Sequence, residues 1–221
     1  MATSATGRRP RLSRERVLRA AIAHADAGGL EALTMRQLAE ELDVAPMALY
    51  RHVANKDDLI DAMVDLAFSE IGLPAGGADW KTAMRDRAIA LRDVLLRHRW
   101  AIGLMESRTR PGPANLRHHD AVLGKLRASG FDVAMAAHTY SLLDSYIYGF
   151  ALTQIHLPFE TTADVVELAE SMLAPFAASE YPNLIEFISD HAMAPSYDYA
   201  DEFEYGLGLI LDGIERVSRD S

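Results

Sequence analysis

Between Leu42 and Leu59 the sequence reads LDVAPMALYRHVANKDDL, and its side chains suit a polyanion better than a reaction. Tyr50 can give its hydroxyl to a phosphate and its ring to a thymine methyl. Arg51 can fork onto a phosphate or the edge of a guanine, His52 can donate to phosphate, and Met47 and Ala48 offer apolar contact to methyl groups. Lys56 adds its charge to the positive end of the helix it opens, a ready phosphate site. Thr34 and Arg36, at the start of an earlier helix, form a second clamp. Pro46 joins the set because it suits the first helical position and fixes where the exposed residues begin.

Such residues need short, firmly seated helices. Ser13 is a good N-cap for a first helix with Val17, Ala21 and Ala25 on one face, stopped by Gly28-Gly29. Thr34 opens the second, and Gln37 three residues later predicts a capping box that satisfies two backbone donors. Leu38, Ala39 and Leu42 then point inward. After the tight link Asp43-Val44, Pro46 starts a third short helix that ends near Val53. Asn55 caps a fourth, with Asp58 in its third position and Leu59, Ile60, Met63, Leu66 and Ala67 as its apolar face. Two short helices on a tight link, backed by a supporting helix, make a helix-turn-helix unit whose second helix can lie in a major groove. Val44, Leu49 and Val53 would anchor it. Ala45 leaves it without a side-chain cap, partly offset by Pro46.

A formal net charge of -10 over 221 residues argues against a polyanion partner until the charge is mapped. Residues 1–56 carry nine Arg or Lys against six Asp or Glu, and the remaining 165 carry 13 against 26. Arg8, Arg9, Arg11, Arg14, Arg16 and Arg19 face only Glu15 in the first nineteen residues, so residues 1–12 read as a flexible basic arm able to follow a backbone or enter a minor groove. There are no cysteines, which excludes disulfides and thiolate metal sites. The polar, basic start does not resemble a secretory signal and no run is long enough to span a membrane, so a cytoplasmic protein is expected.

Apolar residues recur at three and four almost throughout, which predicts an all-α chain. GLPAGGAD, residues 72–79, reads as a linker between a head over 13–71 and a larger helical body over 80–221. Body helices are expected over 80–97, 100–108, 114–129, 132–156, 161–178 and 199–218, with a shorter helical turn over 183–193. Two of them are apolar nearly all round and so must be covered on two sides. In the last, Phe203, Leu207, Ile210, Leu211, Ile214 and Val217 form one stripe while Tyr205, Leu209, Gly206, Gly208 and Gly213 lie elsewhere. Along 132–156, Tyr140, Leu143, Ile147, Phe150 and Ala151 oppose Leu142, Tyr146, Gly149 and Thr153. A homodimer through Tyr146, Phe150, Leu207, Ile210, Leu211 and Ile214 would cover both helices; a compact monomer burying both is the alternative. Trp100, Met105, Tyr140, Asp144 and Tyr148 combine bulk with polar tips and suit a ligand cavity, though each serves equally as core.

Several suggestive runs carry no chemistry. His118-His119-Asp120 cannot grip one ion because adjacent helical residues diverge by about 100°, and a solvated face is expected there. GLGLILDG lacks the third glycine and the preceding strand of a dinucleotide fingerprint. No nucleophile elbow, phosphate loop or metalloprotease motif is present, so no catalytic residue, metal or cofactor is expected.

The stretch LTMRQLAEELDVAPMALYRHVANKDDLIDAM resembles the DNA-binding domain of TetR-type repressors, whose pattern is met by Leu49, Tyr50, Arg51, His52, Asn55 and Lys56. Many members place serine where this chain has Ala45. WKTAMRDRAIALRDVLLRHRW, TRPGP, LRASGF and FEYGLGLILDGIERV resemble the C-terminal regulatory domain of the branch containing the tetracycline repressor. That resemblance implies a homodimer built on a four-helix bundle, a small-molecule inducer in a tunnel, and a repressor binding a palindromic double-stranded DNA operator. It also places Glu106 and Ser145 where that branch has histidines that engage drug-bound magnesium, so tetracycline with magnesium is not the expected inducer. A helical small-molecule-binding protein or enzyme whose head does not touch DNA is the rival reading.

Overall fold

The computed structural model describes residues 11–74, 77–159, 162–173, 180–194 and 197–219; most of the basic arm, residues 1–10, lies outside them. Among the described residues there is no strand. The described residues form ten α-helices in order: α1 Arg14–Ala32, α2 Met35–Glu41, α3 Pro46–Leu49, α4 Lys56–Glu70, α5 Trp80–Arg97, α6 Pro113–Ala128, α7 Val133–His156, α8 Thr162–Leu173, α9 Pro182–Phe187 and α10 Tyr199–Arg219. The end of the helix expected over 161–178 falls outside the described residues beyond Leu173. No helix among the described residues is long and apolar enough to cross a membrane.

Contacts gather the chain into two units, Met1–Leu73 with Asp93–Ala121, and Pro74–Arg92 with Val122–Ser221. The first unit thus extends past the head, taking in the end of α5, the turns around Trp100 and the start of α6. Val17, Ala21, Leu38, Leu49, Leu59 and Met63 are buried in it. Local caps fix its helix ends: Ser13 accepts from the Arg16 amide and Asn55 from the Asp58 amide. Asp58 answers by accepting from the Ala54 amide at 2.8 Å. At Thr34 the expected capping box is only half formed. The hydroxyl accepts from the Gln37 amide at 3.2 Å but also donates to Gln37 Oε1 at 2.6 Å, which diverts the glutamine from the backbone. Gly28-Gly29 ends the first helical run as expected: Gly29 takes φ 77° and ψ 171°, outside the helical region, and a second short run follows to Ala32.

Residues 100–108 depart from the expected helix. Only Arg99–Ala101 forms a 3-10 turn, followed by single turns such as Leu104 N–H to Ala101 O and Ser107 N–H to Leu104 O. Gly103 disfavours helix here, and Ser107 spends its hydroxyl on the Gly103 carbonyl. Side-chain anchors also hold the segment. The Trp100 indole donates to Asp26 at 2.7 Å, and His98 lies between Asp26 at 2.8 Å and Glu70 at 3.3 Å.

One more anchor joins α4 to α6. A single carboxylate oxygen of Asp65 accepts from the Ala114 and Asn115 amides at 2.8 and 3.0 Å, capping α6 from another helix. Gly112 leaves room for it, since a Cβ there would overlap the carboxylate. Asp65→Ala should lower the unfolding free energy by about 1–2 kcal/mol, as lost caps do. Urea denaturation measures this, and Asp65→Asn should recover part of the loss.

In the second unit α7 packs on α10. Tyr146 stacks on Phe203 with ring centroids 5.4 Å apart, and Phe150 meets both Phe203 and Tyr199. The Tyr146 hydroxyl approaches the Glu202 and Phe203 carbonyls at 3.2 and 3.0 Å. Burial raises its pKa, which keeps it a donor. Gly206 is required here, because a Cβ would collide with that hydroxyl. Arg92 lies 4.5 Å above the Phe203 ring. Lys81 binds Asp212 at 2.5 Å and Glu215 at 2.9 Å. These hydrogen bonds raise the lysine pKa and lower both carboxylates.

Candidate nucleic-acid interface

The element expected to enter a groove is α3 with the turn that follows it. α3 has only four residues, and its stability is tertiary in origin: Leu49 and Val53 are buried beneath it, and Pro46 occupies its first position. Ala45 supplies no side-chain cap, as the sequence indicates. The link before it turns through Asp43, whose φ of 53° lies in the left-handed region that aspartate tolerates. The turn continues downstream, where the His52 and Val53 N–H groups both donate to the Leu49 carbonyl at 2.8 and 3.1 Å.

Above that buried base the sequence-selected residues face outward. Met47 is 73% exposed, Tyr50, Arg51 and Pro46 are exposed, and Ala48 and His52 are half-buried. The seating of Leu49 therefore projects its neighbours Ala48 and Tyr50 to either side. Lys56, exposed at the start of α4, reaches the Leu30 carbonyl at 3.4 Å. The same first turn carries Asp57 and Asp58, so the lysine must outweigh them locally to attract a phosphate. The two residues expected to form the second clamp already have partners within the chain. Thr34 has its hydroxyl committed to Gln37, and Arg36 is paired with Glu40 at 3.0 Å, although both residues are exposed.

Arg14 was counted in the sequence only as one charge of a basic segment. It donates to the His52 carbonyl at 2.5 Å, across 38 positions of chain. No short-range pattern marks that pair.

The residues chosen for a ligand fall into both units. Trp100 and Met105 are buried in the first, where the tryptophan is engaged by Asp26. Tyr140, Asp144 and Tyr148 recur every fourth residue on α7 in the second. Arg87 joins this second group, with its guanidinium 2.7 Å from Asp144 and 5.0 Å from the Tyr140 ring centroid. Both charges are buried, and the second Asp144 oxygen and the Thr139 hydroxyl are buried without a hydrogen-bond partner among the described residues. Such oxygens suit a donor brought by a ligand.

The residues expected at an interface divide between those buried within the chain and those left partly exposed. Phe203, Leu207, Leu211 and Ile214 are buried within the single chain, while Ile210, Tyr146 and Phe150 are half-buried. Tyr146 and Phe150 engage α10 of their own chain and so lie in an intrachain seam. The exposed apolar face of α10 carries Tyr205 at 70% and Leu209 at 58%. On α7 it carries Leu142 and Leu152 beside the small residues Ser141, Ser145, Gly149 and Thr153. At 3.6 residues per turn, Leu142, Gly149 and Thr153 lie within about 60° of Tyr146, and Leu209 and Gly213 within about 60° of Gly206, so both exposed faces border the same seam.

His118 also departs from the expected solvated face. It is buried, with its ring 5.8 Å from that of Phe68 and His119 close by at 5.9 Å. Among the described residues no group of three His, Asp or Glu side chains could hold a metal ion.

Comparison with known proteins agrees with this geometry. Residues 17–63 match the family model described as bacterial regulatory proteins, tetR family, and residues 73–218 match the tetracyclin repressor-like C-terminal domain. The HTH-type transcriptional repressor DrrR1 of Streptomyces coeruleorubidus is 31% identical over 217 residues, 95% of this chain and 79% of its own. The class C tetracycline repressor protein of Escherichia coli is 31% identical over 212 residues, 94% of this chain and 92% of its own. Among solved structures, the Streptomyces coelicolor TetR family protein ActR in complex with actinorhodin aligns with TM-score 0.74 and 28% identity, covering 95% of this chain and 99% of that one.

Proposed function

Because this chain belongs to the TetR family of bacterial regulatory proteins, we propose that it is a transcriptional repressor that binds a palindromic operator as a homodimer and is released by a small molecule. The observation that carries the DNA reading is the exposure of Met47, Tyr50 and Arg51 above the buried Leu49 and Val53. That arrangement presents donors and apolar groups to one major groove while the fold keeps the backbone fixed. Pro46, Ala48, His52 and Lys56 complete the contact surface; Thr34 and Arg36 supply its margin. A two-fold dimer would set two such surfaces on successive grooves, about 34–36 Å apart.

The two exposed faces beside the α7–α10 seam are the proposed dimer contact. Small residues on α7 let another helix approach closely, and the leucines and Tyr205 supply apolar area. The inducer reading rests on Tyr140, Asp144, Tyr148 and Arg87 in the second unit, a mostly aromatic set with a buried ion pair at its centre. A ligand preferring the dimer conformation with misplaced heads lowers operator affinity by its differential affinity for the two conformations. ActR has been solved in complex with actinorhodin, which supports testing that compound first.

Tyr50→Ala and Lys56→Ala should each weaken operator binding by about tenfold to a hundredfold, the range of one good base or phosphate contact. A mobility-shift titration at fixed salt reads this, with dimer content checked by light scattering. Equal affinity for wild type and both variants would remove the assigned surface.

A further inference from the structure

We propose that Arg14 positions the recognition element, holding it from the rear without touching DNA; the inference rests on the DNA-binding reading. α3 has no side-chain cap at its start. Its far end is held by α1 instead, since Arg14 donates to the His52 carbonyl at 2.5 Å and lies 3.8 Å from the Asp58 carboxylate. Asp58 in turn accepts from the Ala54 amide, two residues beyond His52, at 2.8 Å. The turn from His52 to Ala54 is thereby fixed by one cation and one carboxylate that also bind each other. A charge-assisted hydrogen bond to a carbonyl in the turn beyond α3 is the stronger kind available to a backbone.

The consequence is geometric. His52 closes the turn that carries Tyr50 and Arg51, so the bond limits how far these side chains can tilt from the groove. A guanidinium committed to a carbonyl and a carboxylate has less capacity left for a phosphate. Arg14 therefore contributes to selective binding of the right sequence more than to attraction for any duplex.

The test uses full-length Arg14→Ala and a duplex selected by the wild-type protein from a randomised pool, with a scrambled duplex of equal length as control. Affinity for the selected duplex should fall by about threefold to tenfold, the range of one charge-assisted bond at a half-exposed site. Affinity for the scrambled duplex should hold, and so should the slope of log affinity against log salt. Amide exchange over residues 51–54 should quicken in the free protein while the unfolding midpoint stays in place. A slope smaller by about 0.9 would make Arg14 a phosphate contact and overturn the proposal. Unchanged affinity, or unchanged exchange, would also overturn it. Should the alanine variant not fold, Arg14→Gln replaces it with the same expectations. Failure of the wild type to prefer its selected duplex would instead remove the DNA-binding reading itself, and this role with it.

Discussion

Leu209→Glu should yield a folded monomer whose operator affinity is lower by about a hundredfold to ten-thousandfold, the advantage that two linked contacts hold over one. The side chain is 58% exposed in the single chain, so glutamate costs the protomer little. In a dimer the same position would bury a carboxylate against apolar residues with no partner, which is strongly unfavourable. Leu211→Asp, two residues away, should behave differently. Leu211 is fully buried in its own protomer, so its replacement should unfold the second unit before assembly can be judged. Light scattering and circular dichroism on the pair separate the cases. A Leu209→Glu dimer with wild-type operator affinity would refute the proposed contact face.

Asp144→Ala should destabilise the second unit by about 3–5 kcal/mol, the cost of stranding one member of a buried ion pair. Arg87 would be left with its side chain 2% exposed and its carboxylate gone. Replacing both residues together, Arg87→Met with Asp144→Leu, should recover most of that loss, because two matched apolar groups need no desolvated charge. If stability is all the pair provides, the double variant should keep its response to inducer. If the ligand uses the spare Asp144 oxygen, the double variant should fold, bind operator and no longer be released. Chemical denaturation reads the first effect and operator release the second.

Much of the head was legible because its signals are local. Ser13, Thr34 and Asn55 each announce a helix through a side chain that reaches three residues forward, and each does so in the structure. Leu49 beneath Tyr50 follows from the spacing of a short helix. What failed was information held by distant partners. The helices α7 and α10 are apolar on several faces, and composition alone does not say which face meets the same chain. Gly206 was the available clue, since a missing side chain marks where Tyr146 comes close. The segment after Trp100 has helical spacing but is governed by Asp26, seventy-four positions earlier. His118 looked solvated beside a second histidine and an aspartate until Phe68 was seen against it.

The four-residue length of α3 has a further consequence, for how binding preference changes over time. Met47, Tyr50 and Arg51 stand on the outside of an element whose own stability comes from Leu49, Val53 and the caps on either side. If these three make the proposed base contacts, substitution among them alters what is read while sparing the scaffold, because exposed positions away from caps and cores cost a fold little. Selection can therefore redraw the target sequence of such a protein in single steps, with each intermediate still folded.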